Sequence, residues 1–388
     1  MNYSDKLTES IRSVKPSGIR RFFDIVNEMD NVISLSVGEP DFKTPCHVRE
    51  AGIRSLELGR TWYTPNRGFK ELRNEITNFY KRKYNLTYHA DEEVVVTVGG
   101  SEAIDIALRC LVGEGDEVLL PQPSFVCYEP LTIMAGAVPV VIETKAQDNF
   151  RLTAKQIEEN ITERTKLLIL PFPNNPTGAI MEKEDLEKVA LMVKKYDLMV
   201  LSDEIYSELT YGGKKHISIA QIDGMQERTV VINGFSKAYA MTGWRLGYAL
   251  GPKEIIAMMT KLHQFCIMSA PTTAQYAAIE ALRNGDRDIE HMCSEYDMRR
   301  RLVVDRLNKM GLTTFTPEGA FYAFPCIRST GLSSEEFCTR LLKAKRVALV
   351  PGSAFGESGE GYVRLSYSYS LKHLKQALRL IEEFIKEL

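Results

Sequence analysis

Thr229-Val-Val-Ile-Asn-Gly-Phe-Ser-Lys-Ala-Tyr-Ala-Met-Thr-Gly-Trp-Arg-Leu-Gly-Tyr-Ala-Leu250 is the stretch on which the reading of this chain turns. It opens with four β-branched strand formers, and Tyr248-Ala-Leu250 reads as a second short strand. Lys237 therefore stands where a strand gives way to a loop, and open α/β sheets place their ligand crevices at strand ends. Eight residues later, Arg245 is a fixed positive charge suited to a phosphate. Taken alone, a Ser-Lys pair before an aromatic residue is an ordinary surface loop. A reactive amine beside an anion site, however, is what a phosphorylated carbonyl cofactor requires.

Working outward, apolar and β-branched runs recur at 94–98, 117–120, 138–142, 166–170, 198–201, 229–232 and 248–250. Helical patterns at 101–112, 124–135, 153–160 and 182–196 fall between most of them. Strands alternating with helices predict an α/β domain, a mostly parallel seven-stranded sheet between helices. Only a loop joins the last two runs, so one strand can oppose the others. The large domain is expected over 46–281. Residues 1–45 and 282–388 are expected to form a smaller α+β domain. In that part, helices are predicted over 17–29, along a stripe from Ile289 to Leu307, and after a Ser370 cap. Residues 32–42 read as a short strand running into a Gly-Glu-Pro turn, and strand-like pieces fall at 320–324, 346–350 and 362–366. Further helices are expected over 46–58 and 72–84, with two exposed aromatics, Trp62 and Tyr63, between them. The basic runs Lys81-Arg-Lys83 and Arg299-Arg-Arg301 read first as solvated faces.

A chain of 388 residues exceeds what one hydrophobic core usually supports, which favours two domains. The net charge of −2 gives no electrostatic reason to expect nucleic acid or an acidic membrane as partner. The first ten residues hold no signal-peptide core, and no apolar run approaches a membrane span. Seven dispersed cysteines without a Cys-x-x-Cys pair fit reduced, mostly buried thiols, so a cytoplasmic protein is expected. The six histidines are scattered, and no metal site is expected.

Five other stretches could carry chemistry. Val96-Thr-Val-Gly-Gly-Ser-Glu-Ala-Ile104 is a strand, a double glycine and a helix start, a geometry that suits an anion but also ordinary packing. In Leu198-Met-Val-Leu-Ser-Asp-Glu-Ile-Tyr206, Asp203 follows an aliphatic run; it either pairs with a buried cation or caps a helix after it. Pro171-Phe-Pro-Asn-Asn-Pro-Thr-Gly178 is stiffened by three prolines that fix two asparagines. Phe125, in Pro123-Ser-Phe-Val-Cys-Tyr128, can stack on a flat ring or pack in the core. Arg364, in Gly361-Tyr-Val-Arg-Leu-Ser366, sits in a strand-like run and asks for a planar carboxylate.

Together, Asn-Pro-Thr-Gly at 175–178, Ser-Asp-Glu-Ile-Tyr at 202–206, Ser-Lys-x-x-x-Met-Thr-Gly-Trp-Arg at 236–245 and Tyr-Val-Arg-Leu-Ser at 362–366 form a known pattern. The chain resembles the pyridoxal-phosphate-dependent aminotransferases of fold type I, class I/II, over its whole length. It is most similar to the aspartate, aromatic and N-acetyldiaminopimelate aminotransferase subgroup. The resemblance implies pyridoxal 5′-phosphate as cofactor and Lys237 as the amine that binds it and carries the catalytic proton. It implies Asp203 at the ring nitrogen, Asn175 and Tyr206 at the phenolic oxygen, and Phe125 on the ring face. Gly100, Ser101, Glu102 and Arg245 would hold the phosphate, with Tyr63 reaching it from the other subunit of a homodimer. Arg364, Asn175 and the backbone of Gly38 would hold the substrate's α-carboxylate.

Two departures stand out. Many relatives carry a serine where this chain has Gly234, leaving Ser236 as the substitute hydroxyl. Some aspartate-preferring relatives carry a lysine where this chain has Ser101. The implied activity moves the amino group of an aromatic amino acid, or of a broad set with aspartate retained, to a 2-oxo acid such as 2-oxoglutarate. It would run by a ping-pong route through pyridoxamine phosphate. A cystathionine-type C–S β-lyase of the same fold is the alternative. A regulator built on an inactive aminotransferase domain is disfavoured, since the lysine, aspartate and arginines are all present.

Overall fold

In the computed structural model, which describes residues 3, 6–16 and 29–388, the seven apolar runs form one sheet. The strands are β1 (Ile33–Ser34), β2 (Val94–Thr97), β3 (Glu117–Gln122), β4 (Val138–Glu143), β5 (Thr165–Leu170), β6 (Met199–Asp203), β7 (Thr229–Gly234), β8 (Gly247–Leu250), β9 (Tyr322–Ala323), β10 (Val347–Ala348), β11 (Val350–Pro351) and β12 (Val363–Ser366). The large sheet has the order β2-β8-β7-β6-β5-β3-β4, and β8 alone runs against its neighbours. That is the opposed strand expected from the short loop between the last two runs. Because β8 is flanked on both sides by antiparallel pairing, β2 points the same way as β7. The carboxyl ends of β2, β3, β5, β6 and β7 therefore meet at one edge of the sheet.

Alternation of side chains across the sheet builds two apolar layers. Val95, Val118, Leu120, Ile169, Leu201, Val230 and Ile232 pack with the helices Gly99–Leu111 and Lys253–Cys266. On the other face, Val94, Val96, Val231 and Leu250 pack with Lys70–Tyr84 and Thr272–Asn284, while Leu119, Leu168 and Val200 pack with Lys183–Lys195. A separate core gathers β9, β10 and β12 under the helices Asp286–Lys309, Ser334–Lys345 and Leu371–Lys386. There β9 and β11 flank β12 antiparallel, and β1 pairs parallel with β10. The Ser370 hydroxyl caps the last helix by accepting from the His373 N–H at 3.4 Å.

Several expectations are corrected. The patterns do not single out Lys253–Cys266 and Thr272–Asn284, although both helices cover the sheet. Of the expected helix at 124–135 only Tyr128–Met134 is helical, because Pro123 and the turn after it hold the chain out of the helix. The short strand expected at the start of 32–42 is Ile33–Ser34, and the rest of that stretch lies outside any strand. The helix expected over 17–29 lies almost wholly outside the described residues. Arg299-Arg-Arg301 is not a solvated face. Arg299 and Arg300 are buried, Arg299 on Asp41 at 2.7 and 2.9 Å and Arg300 on Asp297 and the Pro317 carbonyl. Of the seven free cysteines only Cys338 is buried, while Cys46 and Cys266 are exposed.

Glycine at 247 is required by a close approach. A Cβ there would lie 2.6 Å from the Gly100 nitrogen and from the Gly99 carbonyl carbon, where β8 passes under the turn after β2. Backbone cannot yield as a side chain can. Gly247→Ala is expected to lower stability by about 1–3 kcal/mol, read as a reduced urea midpoint at unchanged m-value.

Candidate active site

The carboxyl edge of the sheet opens into a cavity of about 640 Å³. β7 delivers Lys237 to its floor. The Lys237 Nζ donates to the Gly38 carbonyl at 2.7 Å. Removal from water pushes this amine down to about 8; Glu39 opposes the shift, while Arg364 and Arg245 add to it. An amine so lowered keeps a much larger unprotonated, nucleophilic fraction at physiological pH than an ordinary lysine does.

β6 ends on Asp203, which is buried in the cavity wall. Its Oδ2 accepts from the Tyr128 hydroxyl at 2.7 Å and its Oδ1 from the Ile205 N–H at 3.1 Å. Burial raises the Asp203 carboxyl above its ordinary range, opposed by those two donors. No helix follows it, so it caps a turn and still lacks a cationic partner. Tyr206 lines the same wall and shares a 2.8 Å hydrogen bond with the Tyr322 hydroxyl.

The loop after β5 splits its asparagines. Asn174 closes the loop on itself, accepting from the Thr177 N–H at 3.1 Å and the Thr177 hydroxyl at 2.9 Å. Asn175 faces the cavity, and its Oδ1 accepts from Arg364 Nη1 at 2.9 Å. Since arginine only donates, that contact turns the Asn175 amide nitrogen toward the remaining space. Arg364 is buried, and its other Nη donates to the Ser36 carbonyl. Its Nε is buried without a partner.

The turn after β2 places Gly100 and Ser101 on the cavity wall at the amino end of Gly99–Leu111, where free N–H groups and the helix dipole favour an anion. Arg245 lines the wall beside them. Gly99, at φ +78, makes room for it, because a Cβ there would lie 2.7 Å from the guanidinium. At Gly234 a Cβ would meet the Gly247 Cα and the Leu246 carbonyl at 3.0 Å, so the strand pairing leaves little space for a serine at this position. Ser236, in contrast, is on the wall.

Gly38, Gly100, Ser101, Phe125, Asn175, Asp203, Tyr206, Ser236, Lys237, Arg245 and Arg364 are thus brought to one cavity. Two of the sequence candidates are not. Glu102 turns away, its carboxylate accepting from the Val98 N–H and lying 2.6 Å from the buried His263 Nδ1. Tyr63 is 78% exposed and lies outside this chain's cavity. Conversely, Tyr128 and Tyr322 escape the sequence reading. Tyr128 closes the stretch that contains Phe125, but nothing in spacing separates a core tyrosine from one that meets Asp203.

The family model for class I and II aminotransferases matches residues 30–381. The chain belongs to this family. It is 50% identical to a putative aminotransferase of Bacillus subtilis (strain 168), over 98% of each chain. It is 45% identical to an aspartate aminotransferase of Pyrococcus abyssi, again over 98% of each. The crystal structure of an aromatic aminotransferase from Pyrococcus horikoshii superposes with a TM-score of 0.91 at 45% identity, covering 94% of this chain and 99% of that one. These relatives carry aminotransferase names and give the cystathionine-type lyase no support. The fold is therefore that of the fold type I enzymes, and the chain is an aminotransferase working with pyridoxal 5′-phosphate on small-molecule substrates. The residues fit that cofactor. The buried Asp203 carboxylate lacks a cation, the half-buried Lys237 amine is activated by removal from water, and the Gly99–Ser101 turn with Arg245 forms an anion cradle.

The amine also yields a pH prediction. A folded pKa held below the unfolded one means that the unfolded chain binds the extra proton between about 8 and the ordinary lysine range. Stability of the cofactor-free protein should therefore rise with pH across that window. Labelling of Lys237 by a small aldehyde, followed by mass spectrometry, should show a midpoint near 8; a midpoint in the ordinary lysine range would contradict the burial argument.

Proposed function

We propose that this aminotransferase takes its amino group from aromatic or other neutral L-amino acids, with aspartate a poorer donor, and passes it to a 2-oxo acid such as 2-oxoglutarate in two ping-pong half-reactions. One observation carries the preference. Among the described residues, the cations on this chain's cavity wall are Lys237, Arg245 and Arg364. The cofactor's carbonyl, its phosphate and the substrate's α-carboxylate would employ one each, so none of these three remains for a second carboxylate. The relatives named for aspartate and for aromatic substrates are at equal identity, so identity alone does not choose between them.

When bound, the cofactor supplies an electron sink that makes the amino acid's α-proton removable. Lys237 would hold the cofactor, and its Nζ would take the α-proton of the bound amino acid. Asp203 keeps the ring nitrogen protonated. The free amide nitrogen of Asn175 and the Tyr206 hydroxyl donate to the ring's phenolic oxygen. Phe125 covers the ring face. Gly100, Ser101, Ser236 and Arg245 hold the phosphate, with Ser236 supplying the hydroxyl that Gly234 lacks. Arg364 grips the α-carboxylate with Asn175 and the Gly38 backbone, and a carboxylate oxygen also satisfies its orphaned Nε.

The working unit in this reading is a cytoplasmic homodimer in which a partner's Tyr63 completes the phosphate site. Exposed Trp62, Tyr63, Phe265 and Met268 support it. They lie on segments tied together by the Thr272 hydroxyl on the Trp62 carbonyl and the Asn66 amide on the Met268 carbonyl. So large an apolar surface asks for cover. Residues 46–281 and the flanking segments are taken as the two domains whose junction holds the site.

Lys237→Ala should remove the visible absorption of lysine-bound cofactor and lower transamination by at least ~10⁴-fold, as loss of a nucleophile and general base does; a variant that keeps both overturns the assignment. With 2-oxoglutarate as acceptor, kcat/KM for phenylalanine and tyrosine should exceed that for aspartate. Aspartate ahead by orders of magnitude would reject the neutral-side-chain reading.

A further inference from the structure

Tyr322 occupies a position that none of the roles above accounts for. It comes from β9, is almost wholly buried, and lines the cavity. Its ring lies against the Arg364 guanidinium, whose carbon is 4.5 Å from the ring centroid, and Phe355 flanks the same guanidinium at 4.8 Å. Its hydroxyl is 2.8 Å from that of Tyr206. A Cβ on Gly38 would come within 2.3 Å of the same hydroxyl oxygen, so the hydroxyl is packed directly against the backbone whose carbonyl takes Lys237.

Each contact has a consequence. A guanidinium on an aromatic face is held in one plane, and a planar, fixed arginine is what bidentate capture of a carboxylate demands. Two hydroxyls at hydrogen-bond distance share one proton between them. When Tyr206 commits its proton to an oxygen in the cavity, Tyr322 has to be the donor to Tyr206. A hydroxyl that accepts one hydrogen bond donates another more strongly.

We propose that Tyr322 is a positioning residue serving both ends of the site. Its ring sets the plane of Arg364 for the α-carboxylate, and its hydroxyl, donating to Tyr206, strengthens the bond that Tyr206 makes to the cofactor's phenolic oxygen. The proposal rests on the roles given above to Lys237, Tyr206 and Arg364. It adds that the substrate grip and the cofactor's oxygen share one rigid support.

Phenylalanine at 322 keeps the ring and removes the hydroxyl; leucine removes both. Two measurements on the cofactor-loaded enzyme separate the contributions: the pH midpoint of the visible absorption without substrate, and the inhibition constant of 3-phenylpropionate, an aryl carboxylate without an amine, against the amino donor. A weaker donor at the phenolic oxygen leaves that oxygen more basic. Tyr322→Phe should therefore raise the spectral midpoint, on the order of 0.3–1 unit, and leave the inhibition constant within about twofold. Tyr322→Leu should raise the midpoint likewise and weaken the carboxylate about tenfold. If leucine does not fold, Tyr322→Met takes its place. An unmoved midpoint in the phenylalanine variant overturns the hydroxyl link, and an unchanged inhibition constant in the leucine or methionine variant overturns the ring's role. Absence of a lysine-bound cofactor band in the wild-type enzyme would instead overturn the assignment of Lys237, and this proposal with it.

Discussion

The rest of the structure depends on the removal from water of a lysine amine at the carboxyl edge of a mostly parallel sheet. An amine taken out of water is costly to keep charged, and the cavity answers by lowering its proton affinity while leaving it one acceptor, the Gly38 carbonyl. That carbonyl belongs to a segment outside the large sheet. The segment is pinned at Ser36 by Arg364, at Glu39 by Ser368, and at Asp41 by Arg299. The amine's environment is thus set by two cores meeting over one edge. Neither core alone completes it.

The balance of charge in the cavity explains why its members sit where they do. Asp203 and Arg364 are both buried, and each keeps unused capacity: a carboxylate without a cation, a guanidinium with an orphaned Nε. Such groups are destabilising in an empty site and become favourable when a ligand supplies the complement. A flat ring with a basic nitrogen, a phosphate at the helix end, and an amino acid's carboxylate answer these needs in turn. Glu102 is instructive by contrast. It is an acid in the first turn of the helix that forms the anion cradle, but its charge is directed backward to the Val98 N–H and His263.

Glycine does in this site what side chains cannot. Gly99 leaves space for the Arg245 guanidinium, Gly247 lets β8 slide beneath the turn after β2, and Gly38 admits the Tyr322 hydroxyl. Gly234 belongs to the same set. Its strand is too close to Gly247 to carry a side chain without a shift, so the missing hydroxyl is tied to how these two strands pair.

Much of this was legible in the residues themselves. β-branched runs, their spacing and the helical stripes between them specify the alternating α/β order, because side-chain periodicity reports burial directly. Asp203 and Arg364 were visible because a charge at the end of or inside an apolar run has to be either paired or functional, and Lys237 because it stands where a strand gives way to a loop. The sequence could not display contacts made across long separations. Tyr322 meets Tyr206 from 116 residues away, Arg299 meets Asp41 from 258, and Arg364 meets Ser36 from 328. A tyrosine or an arginine in a helix or strand looks the same in sequence whether it faces solvent, core or cavity. What the chain determined alone was which segments form and which charges need partners. Which partner each charge meets was decided only when the two cores closed on one another, because hydrogen bonding and burial are properties of neighbours in space.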